Sequence, residues 1–133
     1  MKVKNVLLID DNDIDNYVNN HIIRKSKIAD KITVKKSAVE ALEYLNTIKI
    51  DFEMFPDLIF LDISMPIMDG FGFLDEIIKF PQTVDKKYTV VMLSSSDNPN
   101  DIKRAMNFDV VIDYFTKPLK IEMIEKLVEN GNL

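Results

Sequence analysis

The sequence predicts an α/β fold: a doubly wound, five-stranded parallel sheet in the order 2-1-3-4-5 with five helices. Strand-like and helix-like segments alternate five times along 133 residues, which calls for a parallel sheet with helices on both faces. Val6-Leu7-Leu8-Ile9, Leu58-Ile59-Phe60-Leu61 and the segment Tyr88 to Leu93 are nearly continuous apolar runs, as strands covered on both sides require. Ile32-Thr33-Val34 alternates instead, which suits an edge strand. Right-handed crossovers leave few strand orders, and 2-1-3-4-5 puts the alternating strand at an edge and the apolar ones inside.

The elements follow in order. After the first strand, Asp11, Asn12 or Asp13 can cap a helix whose Ile14, Tyr17, Val18, His21 and Ile22 recur at helical spacing. This places His21 on the apolar face as a packed or partly exposed core residue rather than a phosphate carrier. The second strand leads to Ser37, a cap for a helix with Ala38, Ala41, Leu42 and Leu45 inward. Pro56 precedes the third strand, Asp57 to Asp62. Asp69-Gly70 opens a helix with Phe73, Leu74, Ile77 and Ile78 inward, followed by Pro81. The fourth strand gives way to Asn98 as cap, Pro99 at the first helical position and Asp101 in the first turn. The fifth strand runs from Asp109 to Phe115. A last helix, Leu119 to Asn130, turns Ile121, Ile124, Leu127 and Val128 inward and stops at Gly131.

Composition narrows the function classes. The length suits a single domain over residues 1–133. The net charge of −5 argues against binding nucleic acid or an anionic membrane nonspecifically. With no cysteine there is no disulfide, thiolate metal site or cysteine nucleophile. The opening "MKVKNVLLIDDND" has too short an apolar run for a signal peptide or a bilayer span, so a cytoplasmic location is expected.

Ligands of doubly wound sheets bind beyond the carboxyl ends of the strands, at the switch point of the order. In this order that point lies between the first and third strands. The first strand ends in Asp10-Asp11 and the third in Asp62. The fourth ends in Ser94-Ser95-Ser96, and Lys117-Pro118 follow the fifth. Three carboxylates, a hydroxyl and an amine should converge on one crevice. The carboxylates repel one another, and a divalent cation relieves this. An all-oxygen ligand set without His or Cys favours Mg²⁺ or Mn²⁺ over Zn²⁺. A carboxylate beside such a cation can attack phosphorus and become an aspartyl phosphate. Lys117 could then pair with one phosphoryl oxygen and the Ser94 hydroxyl with another.

Four stretches in this order, "VLLIDDN", "LDISMPIMDG", "VVMLSSS" and "DYFTKPL", each at a strand end, resemble the receiver domains of two-component response regulators, of the chemotaxis-regulator type and flavodoxin-like in fold. The resemblance covers nearly the whole chain. It implies Asp62 as phosphoacceptor. It implies metal ligation by Asp11, Asp62 and the Ser64 backbone carbonyl, with Asp10 acting through water; spacing alone does not rank the two acids. It also implies Ser94 as switch hydroxyl, Tyr114 as switch aromatic and a cis peptide between Lys117 and Pro118. The implied partners are a sensor histidine kinase or histidine phosphotransfer protein, and a downstream protein docking on the fourth helix, fifth strand and fifth helix, near Arg104, Tyr114 and Lys120. No output domain follows the fifth helix, which implies a stand-alone receiver: a phosphoacceptor that assists its own phosphorylation and dephosphorylation, not an enzyme acting on a separate substrate.

Three features depart from that family's pattern. Asn107-Phe108 stands where Gly is common, and Asn tolerates a left-handed turn there. Ser94 replaces the commoner Thr, keeping the hydroxyl. The stretch "KFPQTVDKKYT" makes a long connection. Taken singly, each site residue has a plainer reading. Asp10 to Asp13 could merely cap a helix, Asp62 could begin a turn, Ser94 and Lys117 could be solvated, Tyr114 could be core filler, and Met65, Met68 and Met92 read as packing. Two rival functions are weaker. A metal-dependent phosphohydrolase with an Asp nucleophile usually carries a second acid two residues on, where this chain has Ser64. A flavodoxin-like electron carrier needs a Ser/Thr/Gly-rich phosphate loop after the first strand, where this chain has acids.

Overall fold

A computed structural model describes residues 3–80 and 87–131. The expected Pro81 stop and most of the long connection lie outside the described residues. The chain alternates β1 (Val3–Ile9), α1 (Asp13–Ser26), β2 (Ala29–Lys35), α2 (Ala38–Ile48), β3 (Leu58–Asp62), α3 (Gly70–Ile77), β4 (Thr89–Ser94), α4 (Pro99–Met106), β5 (Val111–Thr116) and α5 (Ile121–Glu129). The sheet is parallel in the order β2-β1-β3-β4-β5, as the sequence predicts. Its edge strand β2 is longer than the alternating triplet alone suggests.

The apolar runs fill two core layers, one on each face of the sheet. Leu7, Ile9, Ile59, Leu61 and Met92 pack with α2 and α3 through Ala41, Leu45, Phe73, Leu74 and Ile77. Val6, Leu8, Phe60, Val91 and Leu93 pack with Ile23, Ile124 and Leu127 of α1 and α5. β4 and β5 pair with one irregularity: Val90 stands opposite Val111 but Val91 opposite Asp113, so β5 carries one residue more than its partner.

The caps form where the sequence places them. Asn12, Ser37, Asp69 and Asn98 each accept a backbone N–H of the helix they precede. For α1 this decides among three candidates in favour of Asn12. Gly131, at φ 71°, ends α5 in the left-handed region that glycine enters without steric cost. Among the described residues no helix is long and apolar enough to cross a membrane.

Three expectations are corrected. The buried residues of α1 are Asn16, Asn19 and Ile23, whereas Ile14 and Tyr17 are 74% and 78% exposed, and Val18 and His21 are exposed too. The helix turns its polar stripe inward because the Asn16 side-chain amide donates to the Asp10 carbonyl at 2.8 Å, tying α1 to the end of β1. Ile78 is half-exposed, as the residue just past the end of α3. Asn107 is right-handed, at φ −74°. Its N–H and that of Phe108 reach back to Arg104 and Ala105, so the turn into β5 forms without positive φ.

Candidate functional site

β1 and β3 are neighbours with Ile9 opposite Leu61, so the residues that follow, Asp10 and Asp62, emerge side by side at the switch point. Asp10, Asp11 and Asp62 each offer an oxygen within 4.8 Å of the others. Asp10 and Asp62 are buried, and Asp11 is exposed at the mouth. The ammonium of Lys117 reaches in from the β5–α5 connection. It lies 2.6 Å from Asp10 Oδ2, 2.9 Å from Asp15 Oδ2 and 3.3 Å from Asp62 Oδ1. The Lys117–Pro118 bond is cis, and Lys117 N–H donates to the Ser94 carbonyl at 2.7 Å, which joins the ends of β4 and β5.

The electrostatics follow from burial and like charge. Burial pushes the Asp62 pKa up, with the charge of Asp10 adding and Lys117 opposing, to about 6. Burial alone would lower the Lys117 pKa. Hydrogen bonds to Asp10 and Asp15 and the charge of Asp62 outweigh it and raise the pKa above the ordinary lysine value. Four acidic side chains, Asp10, Asp11, Asp15 and Asp62, thus share this strand end with one ammonium. This donor set fits a hard divalent cation with oxygen ligands such as Mg²⁺, which takes one or two carboxylates and keeps several waters. Both Asp10 oxygens already accept bonds, Oδ1 from the Asn12 N–H at 3.0 Å and Oδ2 from Lys117. Asp11 is the more open of the pair.

Ser94 is buried at the end of β4, its hydroxyl oxygen accepting the Ser96 N–H at 3.0 Å. The Tyr114 hydroxyl donates to the Ser96 carbonyl at 2.7 Å, so Tyr114 is half-buried and tied to the β4–α4 loop. The Arg104 guanidinium stacks over Phe71 of α3, 4.1 Å from the ring centre, which aims it toward α3 as well as along α4. Ser64 is exposed two residues beyond Asp62, just after Ile63, whose carbonyl accepts the Gly70 N–H at 2.8 Å.

Sequence reasoning missed Asp15. Its place three residues after the Asn12 cap suggests a capping box, in which it would reach back to the Asn12 N–H. Asp10 takes that N–H instead, and Asp15 turns to Lys117.

The loop after Asp62 also carries strain. Ile67, fully exposed at φ 72°, closes a three-residue turn in which Met68 N–H donates to the Pro66 carbonyl at 2.8 Å. A β-branched residue in that region costs about 1–2 kcal/mol, and glycine returns part of the relief as backbone entropy. Ile67→Gly is expected to stabilise the protein by about 0.5–1 kcal/mol, raising its urea midpoint with an unchanged slope. A lowered midpoint would mean the isoleucine is not strained.

The family model of the response regulator receiver domain matches residues 6–129. The two-component response regulator ORR13 of Oryza sativa subsp. japonica is 30% identical over 129 residues, which cover 96% of this chain and 98% of that one. The crystal structure of a two-component response regulator from Cytophaga hutchinsonii superposes with a TM-score of 0.87 at 34% identity, covering 98% and 97% of the two chains. A response regulator receiver protein from Dyadobacter fermentans DSM 18053 gives a TM-score of 0.81 at 26% identity, covering 96% of each chain.

Proposed function

The chain belongs to the response regulator receiver domain family, and from that premise we propose that it accepts a phosphoryl group on Asp62 from the phosphohistidine of a sensor kinase or phosphotransfer protein, in a Mg²⁺-dependent reaction. The observation that carries this reading is the position of Asp62, buried at the end of β3 between an acid pair and the Lys117 ammonium at 3.3 Å.

With a pKa near 6, Asp62 is mostly ionised at neutral pH and can act as the nucleophile. An oxygen of its carboxylate attacks phosphorus. The P–O bond forms as the P–N bond breaks, and the electron pair stays on the departing imidazole nitrogen. Asp11, Asp62 and the Ser64 carbonyl would hold the metal, with Asp10 reaching it through water because its own oxygens are taken. Bound there, the cation would offset the charge of the acids and the phosphoryl oxygens. Lys117 donates to one phosphoryl oxygen, and the Ser94 hydroxyl turns from Ser96 N–H to donate to another. Dephosphorylation is the attack of water on the same phosphorus, which returns the Asp62 carboxylate, inorganic phosphate and a proton. The chain acts in this reading as a cytoplasmic phosphoacceptor and not as an enzyme with a separate substrate.

The signal leaves through the face of α4, β5 and α5. When Ser94 moves toward the phosphoryl group, the β4–α4 loop shifts, and Tyr114, bonded to that loop at Ser96, changes its rotation. A partner contacting Tyr114, Arg104 and Lys120 reads the change. The reading is tested by incubation with Mg²⁺ and acetyl phosphate, then intact mass and peptide mapping. One added phosphoryl group on the peptide containing Asp62, absent when the metal is chelated, is the expected result. No addition, or addition on another residue, overturns it.

A further inference from the structure

We propose that Asp15 is a positioning residue that latches Lys117 in the resting state and competes with the phosphoryl group for its ammonium. This rests on the reading of Asp62 as phosphoacceptor and names a control on that site. The ammonium has three donors; two are hydrogen-bonded, to Asp10 and Asp15, and Asp62 is met only as an ion pair. The two short contacts, 2.6 Å to Asp10 and 2.9 Å to Asp15, go to acids that do not react, and the 3.3 Å contact to Asp62 is the longest. Lys117 is thus drawn toward α1 and away from the carboxylate that would carry the phosphoryl group.

The two holding acids are not equivalent. The Asp10 side chain is 1% exposed and also accepts the Asn12 N–H, so releasing it would strand a buried charge. The Asp15 side chain is 39% exposed and can return to water at small cost. Asp15 is therefore the partner that Lys117 gives up. It is free for this role because Asp10 has taken the backbone N–H that a capping-box acid at that position would bind. Its charge acts in two opposite ways. It adds to the negative field that attracts a divalent cation. It also opposes the charge of about −1.5 to −2 that a phosphoryl group brings.

The test is a pair of affinities in the intact protein: Mg²⁺ alone, and trifluoroberyllate, a noncovalent phosphoryl mimic, at saturating Mg²⁺. Asp15→Asn is isosteric. It is expected to weaken Mg²⁺ binding while tightening the mimic by about fivefold, the range of a partly exposed ion pair. Asp13→Asn serves as control. Asp13 lies in the same first turn but its carboxylate pairs with Lys36 at 2.8 Å, so neither affinity should move. A purely structural role for Asp15 would lower thermal stability without driving the two affinities apart. If the wild type binds the mimic and Asp15→Asn binds it no more tightly, the latch is wrong and Asp62 keeps its role. If the wild type neither binds the mimic nor becomes phosphorylated on Asp62, the parent reading fails and the latch with it.

Discussion

Asp62→Asn is expected to abolish phosphorylation and, at neutral pH, to make the protein more stable. The first effect follows because an amide is no nucleophile toward phosphorus. The second follows from burial. Asp62 is held at a pKa of about 6 against an ordinary 3.8, so between those values the native state keeps a proton that the unfolded chain has released. Native stability therefore falls as pH rises through this window, and the penalty is complete above about 6. Allowing for solvent at the open side of the pocket, it amounts to about 1–2 kcal/mol. Asn lacks the penalty. Urea denaturation at pH 4 and pH 7 without metal should show the two proteins alike at the lower pH and the variant ahead at the higher. A variant no more stable at pH 7 would mean that Lys117 fully compensates the buried charge. Mg²⁺ should narrow the gap, since it binds and stabilises only the protein with the full acid set.

Gly70→Ala is expected to cost stability out of proportion to the single methyl it adds. A Cβ at Gly70 would lie 2.6 Å from the Asp62 carbonyl oxygen and 3.0 Å from Ile63 Cα, both backbone atoms without rotamers to yield. The Gly70 N–H is also bonded to the Ile63 carbonyl, which fixes the first turn of α3 against the end of β3. Relief requires moving α3 or the strand end, at about 2–4 kcal/mol. Because the displaced strand end carries Asp62, Mg²⁺ affinity should fall along with the thermal midpoint. A loss of stability with unchanged metal affinity would show that the movement is taken up in α3 alone.

The fold was legible because its signals are local and redundant. Leu58 to Leu61 can be little but a buried strand, and Asn98-Pro99 with Asp101 is a helix start by backbone chemistry alone. Asp10, Asp62 and Lys117 were legible as a cluster because strand order brings strand ends together whatever the loops do. The failures arose where a side chain's role is set by a distant partner. The face of α1 was misjudged because Ile14, Tyr17 and Val18 keep helical spacing on the far side from Asn16, Asn19 and Ile23. Periodicity reports which residues share a face, but not which face a tertiary hydrogen bond to Asp10 will bury. Asp15 was hidden by a competition for one backbone N–H. The turn at Asn107 was read as left-handed because Asn tolerates that conformation, and a right-handed turn closes as well.

The extra residue in β5 has a consequence for how this strand can change over generations. Val111 and Tyr114 are separated by an odd number of positions, yet both pack on the α2–α3 side of the sheet. Ile112 and Phe115, equally odd in separation, share the α1–α5 side. Simple alternation would put each pair on opposite sides. The irregularity resets the parity, so Tyr114 emerges on the same side as Val111, opposite Met92, although an extra residue stands between them. A substitution in β5 alters one side chain. Loss of a single codon between Val111 and Tyr114 would regularise the ladder and still leave Tyr114 opposite Met92, with its hydroxyl within reach of Ser96. Descendants of this sequence can therefore shed the extra residue of β5 without moving Tyr114.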